Sequence, residues 1–175
     1  QGSVAGSFHI PRAMHADTEW DIEVESETGT VGEMGESKGT ERVDIPFGER
    51  AMPSITLLKI EPSNDPQRPI VSFEFDRVPK ADLVQLRLVW GADDSHVWDI
   101  VMPPAQRGTI RVPAIPEKFA AWAPAGNVKV GAGAFDVSYI ASYSALVARG
   151  IEEIEESDVA DKSVRYSVRG ILAAP

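Results

Sequence analysis

Between Ile70 and Met102 the chain reads IVSFEFDRVPKADLVQLRLVWGADDSHVWDIVM, three short runs in which apolar and polar side chains alternate. A period of two places alternate residues on opposite faces of an extended strand, one buried and one wet, and a helix cannot satisfy it. Val71, Phe73 and Phe75 alternate with Ser72, Glu74 and Asp76. Val84, Leu86, Leu88 and Trp90 alternate with Gln85 and Arg87, and Trp98, Ile100 and Met102 lie opposite Asp99. The joint Gly91-Ala92-Asp93-Asp94-Ser95 is rich in residues that tolerate left-handed backbone, which predicts a hairpin between the second and third runs.

The same pattern continues on both sides. Ser54 to Ile60, Thr109 to Val112, Asn127 to Phe135 and Val164 to Arg169 each read as a strand. Pro113 and Pro116 stop the second of these, because proline supplies no donor to a ladder. In the last strand Val164, Tyr166 and Val168 are expected on the inner face, and Arg165, Ser167 and Arg169 on the outer. Seven short strands without helical crossovers predict an antiparallel sandwich of immunoglobulin/fibronectin-like type, since parallel pairs need crossovers of about a dozen residues. Residues 139–158 are too long for a turn. Ile140, Tyr143 and Val147 have helical spacing there and Gly150 offers a stop, so a short helix or irregular excursion is expected near 139–150.

Gln1-Gly2-Ser3 is read as the remnant of an expression tag. Residues 4–53 are expected to form a β-rich extension or small subdomain. Trp20, Ile22 and Val24 alternate with Asp21, Glu23 and Glu25, and Phe8 to Pro11 and Val43 to Phe47 are further short-strand candidates. Gly29 to Thr40, with glycines at 29, 32, 35 and 39, is expected to be a mobile loop. Residues 54–175 are the sandwich. An apolar fraction of 43% is enough for a core, and a net charge of −10 disfavours binding to nucleic acid or anionic membrane. No apolar run approaches the roughly 20 residues that cross a bilayer, so no membrane insertion is expected within the segment. The chain has no cysteine, which excludes disulfides, cysteine-ligated zinc and thiol nucleophiles.

The strand order, the link PAIPEKFAAWAPAG leading into VKVGAGAFD, and the final VRYSVRG together resemble a fibronectin type III or related immunoglobulin-like module over roughly residues 54–171. Val128 stands where that family usually has an aromatic, and Phe73 where a tryptophan is common. The resemblance extends to modules of bacterial surface lipoproteins. It implies a sandwich that binds, spaces or scaffolds on an exported protein (periplasmic, cell-surface or secreted), and it implies no catalytic residues.

His9, His15 and His96 stand in no HExxH, GxSxG, P-loop or GxGxxG context, so neither an enzyme nor a cofactor is expected, the alternative being an accessory domain of a larger enzyme. The acidic residues Glu152, Glu153, Glu155, Glu156 and Asp158 are weak calcium candidates. They lack the DxDxDG spacing and are interleaved with Ile154, as a solvated face would be. Asp93, Asp94 and Asp99 are a weaker set still, read as turn formers. Trp90 and Trp98 belong to the core. Trp122, in an Ala- and Pro-rich loop, is expected to cap the end of the core, and the alternative is an exposed ring for a glycan. On the strand from Asn127 to Phe135 the outward residues are Lys129, Gly131 and Gly133, expected to lie between Gln85 and Arg87 on one side and Arg165, Ser167 and Arg169 on the other. This trough is expected to be filled from within, by residues 139–158 or the N-terminal extension, its arginines paired to carboxylates. The alternative is recognition of an acidic or extended protein partner.

Overall fold

The computed structural model describes residues 17–26, 29–38, 51–137, 143–149 and 163–172. The strands are β1 (Asp17–Ser26), β2 (Gly29–Lys38), β3 (Ile55–Glu61), β4 (Ile70–Phe75), β5 (Leu83–Trp90), β6 (His96–Met102), β7 (Arg107–Arg111), β8 (Lys129–Val137) and β9 (Ser163–Leu172), with one helix, α1 (Tyr143–Arg149), between the last two. They form two antiparallel sheets, one of six strands in the order β1-β2-β9-β8-β5-β6 and one of three in the order β3-β4-β7. The seven strands expected after residue 54 are therefore β3 to β9. The expected helix falls at α1, and the described part of residues 4–53 is the β1–β2 hairpin together with residues 51–53, of which Met52 joins the core.

Alternation in the central runs has the anticipated outcome. Val84, Leu86, Leu88 and Trp90 of β5 and Val71, Phe73 and Phe75 of β4 are all buried, and each meets the other sheet in one core cluster. Phe73 and Phe75 pack edge to face, with ring centroids 5.9 Å apart. Trp98, Ile100 and Met102 of β6 pack against the cluster from the same side. Removing a buried leucine or phenylalanine from water is worth about 1.5–3 kcal/mol, so this face of β5 against β4 supplies much of what holds the layers together. The joint after β5 is a tight turn in which Gly91 has φ 91° and Asp93 and Asp94 both have φ 56°. Short polar side chains tolerate that left-handed region best.

Two expectations are corrected. Gly29 to Lys38 is not a loop but the strand β2, paired with β1 over its whole length and with β9 from Thr30 to Gly35. Gly32 serves close approach rather than mobility, because a Cβ there would lie 2.3 Å from the Tyr166 ring, which crosses the backbone at that point. The Tyr166 hydroxyl continues past it to donate to the Glu23 carboxylate on β1.

The faces of β9 are also the reverse of the expected ones. Ala132 and Ala134 of β8 are buried in the core, and they stand opposite Arg169 and Ser167, so these residues share the inner face. Tyr166 and Val168 stand opposite Phe135 and Gly133 on the outer face. The physical reason is that β9 is paired on both edges and packed on both faces, so its alternation does not tell inside from outside. The candidate strands Phe8 to Pro11 and Val43 to Phe47 lie outside the described residues. Gly32→Ala is expected to lower stability by about 1–3 kcal/mol, as overpacking does, and a denaturant titration would measure it.

Candidate functional site

The outer face of the six-stranded sheet carries the features that the sequence singles out. Arg87 stands opposite Gly131, and Gln85 opposite Gly133, as expected. On the far side of β8, however, Gly131 is opposite Gly170 and Gly133 is opposite Val168. The row across the sheet is therefore Asp99, Arg87, Gly131, Gly170, and its centre is two adjacent glycines on two paired strands.

The glycines of β8 are not equivalent. At Gly133 an added Cβ would lie 2.7 Å from Cε2 of Phe135 and 3.1 Å from Cγ1 of Val168, so internal packing already requires glycine there. A Cβ at Gly131 would find nothing closer than 3.7 Å, and at Gly170 nothing closer than 3.9 Å. Neither has a positive φ. Glycine inside a strand costs roughly 0.5–1 kcal/mol relative to alanine. Neither space nor backbone conformation within the described residues accounts for that cost at these two positions.

The charged rim is neutralised internally. The Arg87 guanidinium donates to both carboxylate oxygens of Asp99, from Nε at 2.8 Å and Nη2 at 2.9 Å. Lys129 forms an ion pair with Asp94 in the β5–β6 turn. Arg165, in a cross-strand row between Glu33 of β2 and Asp136 of β8, is ion-paired with Asp136.

Arg169, half-buried, reaches across to the other sheet, where Nη1 donates to the carbonyls of Ile55 at 3.1 Å and Thr56 at 3.3 Å. These carbonyls belong to β3 beside a register shift between Ile55 and Leu57. Arg165 and Arg169 are thus not brought to the glycine floor, whereas the pairing of arginine with carboxylate is as expected. The hairpin does not lie over β8 either; it extends the sheet beyond β9. At the other margin the Tyr143 hydroxyl of α1 donates to the Val101 carbonyl of β6 at 3.4 Å.

Trp122 does not cap the core. It ends the 3-10 turn Glu117–Trp122 and is 61% exposed, stacked on Phe119 with ring centroids 5.5 Å apart and planes 23° apart. Lys118 Nζ sits 4.8 Å from the Phe119 centroid. The sequence held a signal for this arrangement in the i, i+3 spacing of Phe119 and Trp122, which brings side chains together on a 3-10 turn. Trp90 is a core residue, as expected, Trp98 is half-buried against the core, and His96 is tilted against Trp90 at 5.7 Å between centroids.

Among the described residues no group of three or more His, Cys, Asp or Glu is placed to hold a metal ion. The candidates Glu152, Glu153, Glu155, Glu156 and Asp158 lie outside the described residues. Among those described, no helix is long and apolar enough to cross a membrane. The fold and this face define an antiparallel β-sandwich whose outer sheet has a glycine-floored centre. A scan against protein-family models, a search of curated proteins and a search of solved structures each find no match for the chain.

Two contrasts in stability test the geometry. Arg169→Met is expected to cost about 1–2 kcal/mol, because it leaves the part-buried Ile55 carbonyl without its donor, whereas Arg87→Met should cost about 1 kcal/mol or less, as exposed ion pairs do. Gly131→Ala and Gly170→Ala are expected to be neutral or stabilising by up to about 1 kcal/mol. Thermal or urea unfolding of the four variants would check both contrasts, and a large loss at Gly131 would mean that the glycine is structural after all.

Proposed function

We propose that this protein is a noncatalytic binding or structural module of fibronectin type III-like order, and that its binding surface is the outer face of β6-β5-β8-β9. The observation that carries the reading is the Gly131 and Gly170 pair, where side chains are missing from the middle of a sheet with no internal requirement for their removal. A bare floor of that kind lets a second backbone or a flat ligand approach the sheet closely. The order β3-β4-β7 facing β6-β5-β8-β9 supports the fibronectin-like likeness, with the β1–β2 hairpin as an addition to it. The likeness also motivates an exported or surface location, which fractionation of cells producing the tagged full-length protein would check.

The internal pairing of Arg87 and Lys129 changes the ligand expected. An acidic partner would have to compete with Asp99 and Asp94 for them, so a neutral extended segment suits the floor better. A second reading, a glycan stacked on Trp122, is favoured by the exposure of that ring. Peptide and glycan arrays probed with the wild type, Gly131→Val and Trp122→Ala separate the two. Peptide binding lost in Gly131→Val and kept in Trp122→Ala is the expected result. Glycan binding lost only in Trp122→Ala would replace the leading reading with the second, and turnover of any substrate in a hydrolase panel would remove both.

A further inference from the structure

The sandwich has four sheet edges, and three of them are visibly blunted. β3 carries a register shift and has the carbonyls of Ile55 and Thr56 occupied by Arg169. β7 is only five residues long and is bracketed by Pro103, Pro104, Pro113 and Pro116. β6 has its Val101 carbonyl taken by Tyr143 of α1. Such devices keep open edges from pairing with other chains.

β1 has none of these three, and charge is the device it does carry. It is ten residues long, pairs with β2 at ten consecutive positions without a register shift, and contains no proline, lysine or arginine. Its second edge has no strand partner among the described residues. A strand of that length offers a template of about 33 Å.

The sequence of β1 also selects what could pair there. Acidic residues occupy every second position, Asp17, Glu19, Asp21, Glu23 and Glu25, alternating with Thr18, Trp20, Ile22, Val24 and Ser26. The register sets Glu23 opposite Gly32, in the cross-strand row that continues to Tyr166 and Phe135 on the outer face. Two copies meeting β1 to β1 in antiparallel fashion would bring carboxylate positions opposite one another, and like charges directly opposite are destabilising. A strand with lysine or arginine at alternate positions would meet the opposite charge at each of them and extend the apolar positions as well.

We infer that the open edge of β1 is a strand-addition site for an extended peptide segment that alternates basic with apolar or β-branched residues. Main-chain hydrogen bonds would supply the affinity and the carboxylate ladder the choice of partner, the usual division of labour in strand addition. The site is separate from the glycine floor.

The test uses the full chain and a capped ten-residue peptide alternating lysine with valine and threonine, read by amide hydrogen exchange and NMR titration. Alternate β1 amides should gain at least tenfold protection, and the affinity should fall at least tenfold when salt is raised from about 50 to 200 mM or when Glu19→Lys and Asp21→Lys are combined. Gly131→Val should leave this binding unchanged, so failure here and failure of the floor are seen separately. Equal binding of an isomeric peptide with its lysines in one block, protection elsewhere than β1, or β1 amides already protected in the free protein would each overturn the inference.

Discussion

β9 is hydrogen-bonded along both of its edges, to β8 on one side and β2 on the other, and the six-stranded sheet exists as one layer because of that double pairing. Each neighbour depends on it in a different way. For the sandwich, β9 covers the edge of β8 and sends Arg169 across to the opposite sheet, where it satisfies two carbonyls of β3. For the hairpin, β9 is the strand that joins it to the rest of the sheet. A two-stranded ribbon alone is marginal in water. The Tyr166 ring crossing Gly32 to reach Glu23 adds side-chain contact to the main-chain ladder.

The inner and outer faces divide the chemistry. Inside, β5 and β4 contribute large apolar side chains to one core cluster, and a half-buried arginine serves the backbone rather than a ligand. Outside, the charges are arranged as local pairs, Arg87 with Asp99 and Lys129 with Asp94, each member on a strand or turn next to its partner. These pairs flatten the electrostatic relief around the glycines. What distinguishes the outer face is therefore shape, the lack of side chains at Gly131 and Gly170, more than charge.

Alternation was a reliable guide wherever one face of a strand is wet. It placed Val84, Leu86, Leu88 and Trp90 inward, put Trp98 with the core, and located Gln85 and Arg87 beside the glycines of β8. It failed at β9, where Tyr166 is buried on the outer face and Ser167 on the inner one, so polarity carries no information about direction. A one-residue misreading of a strand exchanges its faces completely, and for that reason the two arginines of β9 stand on its inner face rather than beside the trough. Gly29 to Lys38 was misread because glycine marks both mobile loops and places where a ring lies against backbone. Only the position of Tyr166, 134 residues after Gly32 (166 − 32), distinguishes the two. Trp122 was legible as an aromatic in a loop, but its exposure depends on how far the 3-10 turn stands off the core.

The placement of β9 has a consequence for how the polypeptide is assembled in time. During synthesis β1 and β2 emerge before the other described strands, yet the strand that receives them is the last of the nine described ones to be made. Until Ser163 to Leu172 has cleared the ribosome, the hairpin has no sheet to join and the carbonyls of Ile55 and Thr56 have no guanidinium. The nascent chain must hold this ribbon in reserve, exposed to solvent and to chaperones, until β9 arrives.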